Sequence, residues 1–198
     1  MIKVIIFDYG GVIGKEPHEN EICLAIAKRF GLGYDFVKNE YNTLEFRFLT
    51  NRISKKEFYI RLARLLGVSA KELGRVWDAV YYQKKPKLNG KVINIVKALK
   101  PYYKLALLSD VFPGRDAILK KYGCYKFFPS VILSSKVRMQ KPDKVIYRYT
   151  VKRLNAKANE CLFIDDRERN IKSAEKLGMR TILFKNAEQL EKELKQYL

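Results

Sequence analysis

Ile2-Lys3-Val4-Ile5-Ile6-Phe7-Asp8-Tyr9-Gly10-Gly11-Val12 is an apolar run that stops at a carboxylate followed by two glycines. A short continuous run of β-branched and aromatic residues, without polar alternation, reads as a strand buried on both faces. Further runs of the same kind lie at Lys104–Leu108, Val131–Leu133 and Cys161–Ile164, with a weaker one at Thr181–Phe184. Helical patterns fill the gaps between the later strands, over Arg115–Tyr122, Asp143–Leu154 and Asn170–Leu177. Strands alternating with helices of that length call for right-handed crossovers and a parallel sheet, so the fold class is α/β with a Rossmann-like core.

Residues 15–85 behave differently. They contain no clear strand, and Ser54-Lys55-Lys56-Glu57 and Ser69-Ala70-Lys71-Glu72 both have capping-box spacing. Apolar residues follow at helical intervals: Phe58, Leu62, Leu65 and Leu66, then Leu73, Val76, Trp77 and Val80. Pro86 breaks the pattern, and the sheet is expected to resume near Asn89. The expected layout is a core of residues 1–14 and 86–198, interrupted after the first strand by a small helical cap of residues 15–85.

At 198 residues and 47% hydrophobic, the chain has enough apolar material for a real core, which excludes wholesale disorder. Cys23, Cys124 and Cys161 are three, at wide spacings, and form no disulfide ladder or CxxC pair. No apolar run reaches the roughly 18 residues of a membrane span, and the first strand is too short for a secretory h-region. A cytoplasmic setting with no membrane partner is the expectation.

Polar residues gather where the strands end. Asp8-Tyr9-Gly10-Gly11 follows the first strand, Ser109-Asp110 the second, and Asp165-Asp166 the fourth, while Lys141-Pro142 precedes a helix. In an open parallel sheet the carboxyl ends of the strands face one crevice, where ligands bind. Carboxylates from different strands suit a hard divalent cation such as Mg²⁺. A hydroxyl, an ammonium and the N–H groups of a glycine turn suit phosphate oxygens. A strand-terminal Asp is also a competent nucleophile toward phosphorus.

In this order the residues resemble the haloacid dehalogenase superfamily. Phe7-Asp8-Tyr9-Gly10-Gly11-Val12 is similar to its first motif and Leu107-Leu108-Ser109 to its second. Met139-Gln140-Lys141-Pro142-Asp143 is similar to the third, and Phe163-Ile164-Asp165-Asp166 with Asn170, Ala174 and Leu177-Gly178 to the fourth. The insertion sits where the family's helical (C1-type) cap sits. The resemblance implies Asp8 as nucleophile and Mg²⁺ ligand, the Gly10 backbone carbonyl and Asp166 as further ligands, and Asp165 as a carboxylate orienting the metal's waters. It implies that Ser109 hydrogen-bonds the phosphoryl group, and that Lys141 offsets the charge of Asp8 and phosphate. Gly10, Gly11 and Asp110 complete the expected phosphate surroundings. The implied activity is a Mg²⁺-dependent phosphatase acting on a small phosphorylated metabolite, a sugar phosphate first and a nucleotide or phosphoglycolate-like acid next.

Two departures stand out. Most phosphatases of the family carry a second Asp where this chain has Gly10, and glycine cannot protonate a leaving alcohol. Asp110 replaces the more usual Asn; a structural hydrogen bond to a neighbouring loop is preferred over an acid–base role. Two other readings use the same residues: a metal-independent dehalogenase, or a weakly catalytic binding protein. The second would use the stretch 115–157, which holds twelve Lys/Arg against Asp116 and Asp143 in a chain of net charge +19. A generally basic surface that steers anionic substrates is preferred there over a nucleic-acid or phospholipid face. His18 reads as a solvated loop residue and Trp77 as packing, with a cap-lining role left open for Trp77, Tyr81 or Phe46.

Overall fold

The computed structural model describes residues 1–197. Its strands β1 (Val4–Phe7), β4 (Lys104–Ser109), β5 (Ser130–Leu133), β6 (Cys161–Asp165) and β7 (Arg180–Leu183) form one parallel sheet in the order β5-β4-β1-β6-β7. β1 lies in the middle, with Phe7 beside Leu107 of β4 on one side and Ile164 of β6 on the other. The chain order reverses at β1, so its carboxyl end opens onto the crevice where such sheets bind ligands.

Both sheet faces are covered, which explains the unbroken apolar runs. Ile5 and Phe7 point into a cluster shared with α5 (Gly90–Leu99), α6 (Arg115–Lys121) and α10 (Ala187–Leu194). Val4 and Ile6 point the opposite way, toward α8 (Lys144–Arg153) and α9 (Glu168–Glu175). This is the two-residue periodicity of a strand. The one-turn α7 (Ser134–Val137) follows β5 directly. Cys124 and Cys161 are buried as small core residues, and the Tyr9 hydroxyl donates to Cys124 Sγ at 3.3 Å.

Between Lys15 and Lys87 the chain forms α1 (Glu19–Phe30), α2 (Tyr34–Leu49), α3 (Lys55–Leu66) and α4 (Ala70–Trp77), the last running into a π-helical turn over Asp78–Tyr82. These helices bury a cluster of their own, centred on Tyr41, Phe48, Phe58 and Trp77. Phe112, from the loop after β4, plugs into it, stacked on Phe48 at 4.8 Å between ring centroids. Trp77 is fully buried, as its place on the apolar face requires. The two connecting segments pair as a short antiparallel ribbon, β2 (Gly14–Lys15) with β3 (Lys87–Leu88). The ribbon has no signature in the sequence, because a two-residue strand carries no periodicity. The sheet does not resume near Asn89 as expected: Asn89 caps α5, whose Val92, Ile93, Val96 and Leu99 recur at helical spacing, and the sheet resumes only at Lys104.

Two local expectations are corrected. Ser54 and Ser69 do cap α3 and α4, accepting from the N–H of Glu57 and Glu72, but neither glutamate returns the bond. Glu57 pairs with Arg61 and Glu72 with Arg29, since a longer side chain finds a cation more readily than a backbone donor. A complete capping box forms instead at α1. There His18 Nδ1 accepts from Asn20 N–H, and the Glu21 carboxylate accepts from His18 N–H. His18 is exposed, as expected of a solvated residue, and in addition caps α1. Leu65, expected in the apolar face of α3, is exposed.

The ribbon is held by Arg115, whose side chain is fully buried. It donates to both carboxylate oxygens of Glu16 at 2.8 and 3.1 Å, and to the backbone carbonyls of Lys84 (2.8 Å) and Tyr82 (3.4 Å). One guanidinium from α6 thus ties down both segments flanking the ribbon, using the fixed fork of donors that suits arginine to this work.

Candidate active site

The expected site residues converge. Asp8, at the end of β1, and Asp165, at the end of β6, are both buried and both accept from Lys141 Nζ at 2.7 Å. Asp166 lies beside them, and the three carboxylates offer oxygens within 4.8 Å of one another. Ser109, Asp110, Gly10 and Gly11 line the same cavity of about 360 Å³, enclosed between the sheet's carboxyl edge and the helical insertion. Lys141 reaches this edge although its helix begins only at Lys144.

The acidic pair of β6 divides its work. Both Asp165 oxygens are occupied, by Lys141 Nζ, by the Asn170 amide at 2.9 and 3.0 Å, and by the Arg167 N–H at 2.8 Å. Asp166 has no side-chain hydrogen bond among the described residues. Gly11 explains how Asp166 comes so close. Its φ is +81°, and a Cβ there would lie 2.1 Å from Asp166 Oδ2. Only glycine allows both that backbone conformation and that approach.

Burial pushes the Asp8 carboxyl up, to about 8, against the pull of the Lys141 ammonium; the neighbouring Asp165 adds to the rise. Burial alone would lower Lys141, but Asp165, Asp8 and Asp110 outweigh it and keep the ammonium charged. Burial also pushes Asp110 up, to about 6. Its Oδ1 accepts from the Lys141 backbone N–H at 3.2 Å, the structural hydrogen bond preferred from the sequence.

The donor set fits Mg²⁺. All the converging side-chain ligands are hard oxygens, as that ion requires. Two acceptors in the cavity wall, Asn170 Oδ1 and Gln140 Oε1, are buried without a donor. Burying such atoms unpaired is costly, and both belong to residues that line the site.

Several lining residues lie outside the expected set: Gln140, Arg167, Arg169 and Asn170 from the core, and Tyr41, Glu45 and Leu49 from the insertion; of the three cap-lining candidates, Tyr81 lines the cavity and Trp77 and Phe46 do not. Asn170 was visible within the fourth motif. Tyr41, Glu45 and Leu49 stand four residues apart on α2, a spacing that puts them on one helix face. The basic stretch 115–157 does not form one surface. Arg115 and Lys141 are buried in ion pairs, and α6 and α8 cover opposite faces of the sheet.

Comparison with known proteins agrees with this architecture. Residues 2–178 match the family model described as haloacid dehalogenase-like hydrolase. Drimenol cyclase drtB of Aspergillus calidoustus is 26% identical over 149 residues, which is 72% of this chain but only 28% of the cyclase. The D-ribitol-5-phosphate phosphatase of Bacteroides thetaiotaomicron is 24% identical over 208 residues, covering 98% of this chain and 97% of its own length. A solved haloacid dehalogenase (HAD) family enzyme from the same bacterium, in complex with magnesium and inorganic phosphate, superposes with a TM-score of 0.72 at 21% identity. It covers 93% of this chain and 95% of its own. With the family model spanning β1 to the end of α9 and the converged motifs lying inside that span, the chain belongs to the haloacid dehalogenase-like hydrolases.

Proposed function

We propose that the chain is a Mg²⁺-dependent phosphatase of small soluble phosphate esters, with residues 15–85 as its helical cap. The observation that carries this reading is the buried Lys141 ammonium, 2.7 Å from both Asp8 and Asp165, with Asp166 completing a three-carboxylate cluster beside Ser109. Asp8, Asp166 and the Gly10 carbonyl would hold Mg²⁺, and the cation would neutralise phosphoryl charge when bound. Asp165 is already tied by Lys141, Asn170 and Arg167, which suits it to orient its neighbours rather than to bind the ion. The phosphatase named above, alike over nearly its whole length, and the magnesium- and phosphate-bound enzyme of the same fold support this assignment.

In the reaction, an Asp8 carboxylate oxygen attacks phosphorus and the ester oxygen departs, leaving an acyl phosphate on Asp8. Water then attacks that phosphorus, releasing inorganic phosphate and restoring the carboxylate. Ser109 donates to a phosphoryl oxygen, and Lys141 holds Asp8 in place and offsets its charge. Gly10 offers no acid for the departing oxygen, so esters of acidic alcohols are the best substrates. Among the described residues no helix is long and apolar enough to cross a membrane. The free, buried cysteines suit a reducing, cytoplasmic compartment.

The test is hydrolysis of p-nitrophenyl phosphate, whose leaving group needs little protonation, with Mg²⁺, with EDTA, and with Asp8→Asn. Turnover that requires both the metal and Asp8 is expected. Its absence from folded, Mg²⁺-supplied protein refutes the proposal.

A further inference from the structure

Among the cavity's carboxylates, Glu45 alone faces the ligand space from the insertion with no cation of its own. Glu16 is held by Arg115 at 2.8 Å, Glu19 by Lys38 and Arg167 at 3.7 and 3.4 Å, and Glu21 by Lys84 at 2.9 Å. Glu45 makes no ion pair among the described residues, in a chain with 40 Lys and Arg against 21 Asp and Glu. Its single hydrogen bond comes from the buried Tyr41 hydroxyl, at 2.8 Å to Oε1.

Its setting makes that exceptional. Glu45 lies between Tyr41 and Leu49 on one face of α2, and Tyr41, Leu49, Tyr81 and Phe112, all buried, make that side of the cavity wall apolar or aromatic. A partly buried carboxylate on such a wall is costly unless donors reach its remaining lone pairs. Tyr41 supplies one donor and fixes the carboxylate's orientation. The Lys38 ammonium beside it lies over the Tyr41 ring and is taken by Glu19. The cavity's other free cations, Lys15 and Arg169, are exposed, where solvent and salt screen them.

Resting on the phosphatase reading, we infer that Glu45, oriented by Tyr41, is a specificity residue that accepts hydrogen bonds from a donor on the leaving group. The substrate class is then a phosphate monoester bearing a hydroxyl or an ammonium beyond its ester oxygen. Esters with a second anionic group are rejected by Glu45, since like charges face each other in a partly desolvated site. This places the phosphoglycolate-like acids behind the polyol phosphates.

The test compares kcat/KM for glycerol 3-phosphate, phosphoethanolamine and phosphoglycolate, with p-nitrophenyl phosphate as the reference, in wild type and Glu45→Gln. Wild type is expected to favour at least one donor-bearing ester over phosphoglycolate by about tenfold or more, a factor equivalent to about 1.4 kcal/mol. Glu45→Gln, which keeps the shape and removes the charge, is expected to collapse that ratio, chiefly by lowering KM for phosphoglycolate. A purely structural role for Glu45 would lower all substrates together instead. A loss confined to phosphoethanolamine identifies the donor as an ammonium; an equal loss for glycerol 3-phosphate identifies a hydroxyl. Equal wild-type use of phosphoglycolate, or an unchanged ratio in Glu45→Gln, overturns the inference while leaving the phosphatase intact. No wild-type turnover of p-nitrophenyl phosphate overturns both.

Discussion

Adjacent glycines after β1 should respond very differently to the same added methyl group. At Gly11 the backbone has φ +81°, and a Cβ would lie 2.1 Å from Asp166 Oδ2 and 2.6 Å from its Cγ. At Gly10 a Cβ would meet nothing within 4 Å, and the backbone is not left-handed. Gly11→Ala therefore carries about 1–2 kcal/mol of left-handed strain. In a domain of this size, that lowers the melting temperature by about 2–8 °C. It also forces Asp166 back, and a displacement of about 1 Å in a reacting constellation costs on the order of 10²-fold in rate. Gly10→Ala should melt within a degree or two of wild type. The assay is thermal melting with and without Mg²⁺, alongside Mg²⁺-dependent turnover of p-nitrophenyl phosphate. The reasoning fails if Gly11→Ala keeps wild-type Mg²⁺ response and turnover, or if Gly10→Ala is equally damaging.

Other consequences are as open to measurement. A Cβ at Gly10 would meet nothing within 4 Å, so Gly10→Asp can start its side chain without a clash and should raise turnover of an alkyl phosphate by on the order of 10²-fold and that of p-nitrophenyl phosphate much less, in a side-by-side rate comparison. Burial raises the Asp8 carboxyl against the pull of Lys141 and raises Asp166 beside it, so binding Mg²⁺ to both must expel protons at low pH. Apparent Mg²⁺ affinity, read by calorimetry, should therefore rise with pH through the neutral range and level off once both carboxylates are ionised; a flat profile refutes the raised carboxylates. Arg115→Met strands Glu16 and the carbonyls of Tyr82 and Lys84, and should cost about 3–5 kcal/mol in denaturant unfolding. Arg115→Met with Glu16→Gln should recover part of that loss, because the uncompensated charge is gone.

The strands were legible because burial on both faces leaves its mark locally: three or more apolar residues in a row, most of them ending at Asp or Ser. The same locality put Asp8, Ser109 and Asp165 at strand ends, and a parallel sheet turns all such ends to one edge. Gly11 was legible only as a turn residue. That it also makes room for Asp166, which follows β6 more than 150 positions later, belongs to the packed structure. The Ser54 and Ser69 caps were half right for a related reason. A hydroxyl within one helical turn has little choice of partner, whereas Glu57 and Glu72 reach Arg61 and Arg29.

By itself, then, the sequence determined the sheet, the helical interruption and the gathering of polar side chains at the strand ends, because each follows from hydrophobic periodicity and chain geometry over a few residues. Only the tertiary structure decided that Asp165 is tied while Asp166 is free, and that Arg115 is the clasp of the connecting ribbon. It alone decided that the basic stretch 115–157 is split across two faces, and that Glu45 looks into the cavity without a cation. Those outcomes depend on long side chains from distant segments competing for a few partners, and only the packed chain brings the competitors within reach.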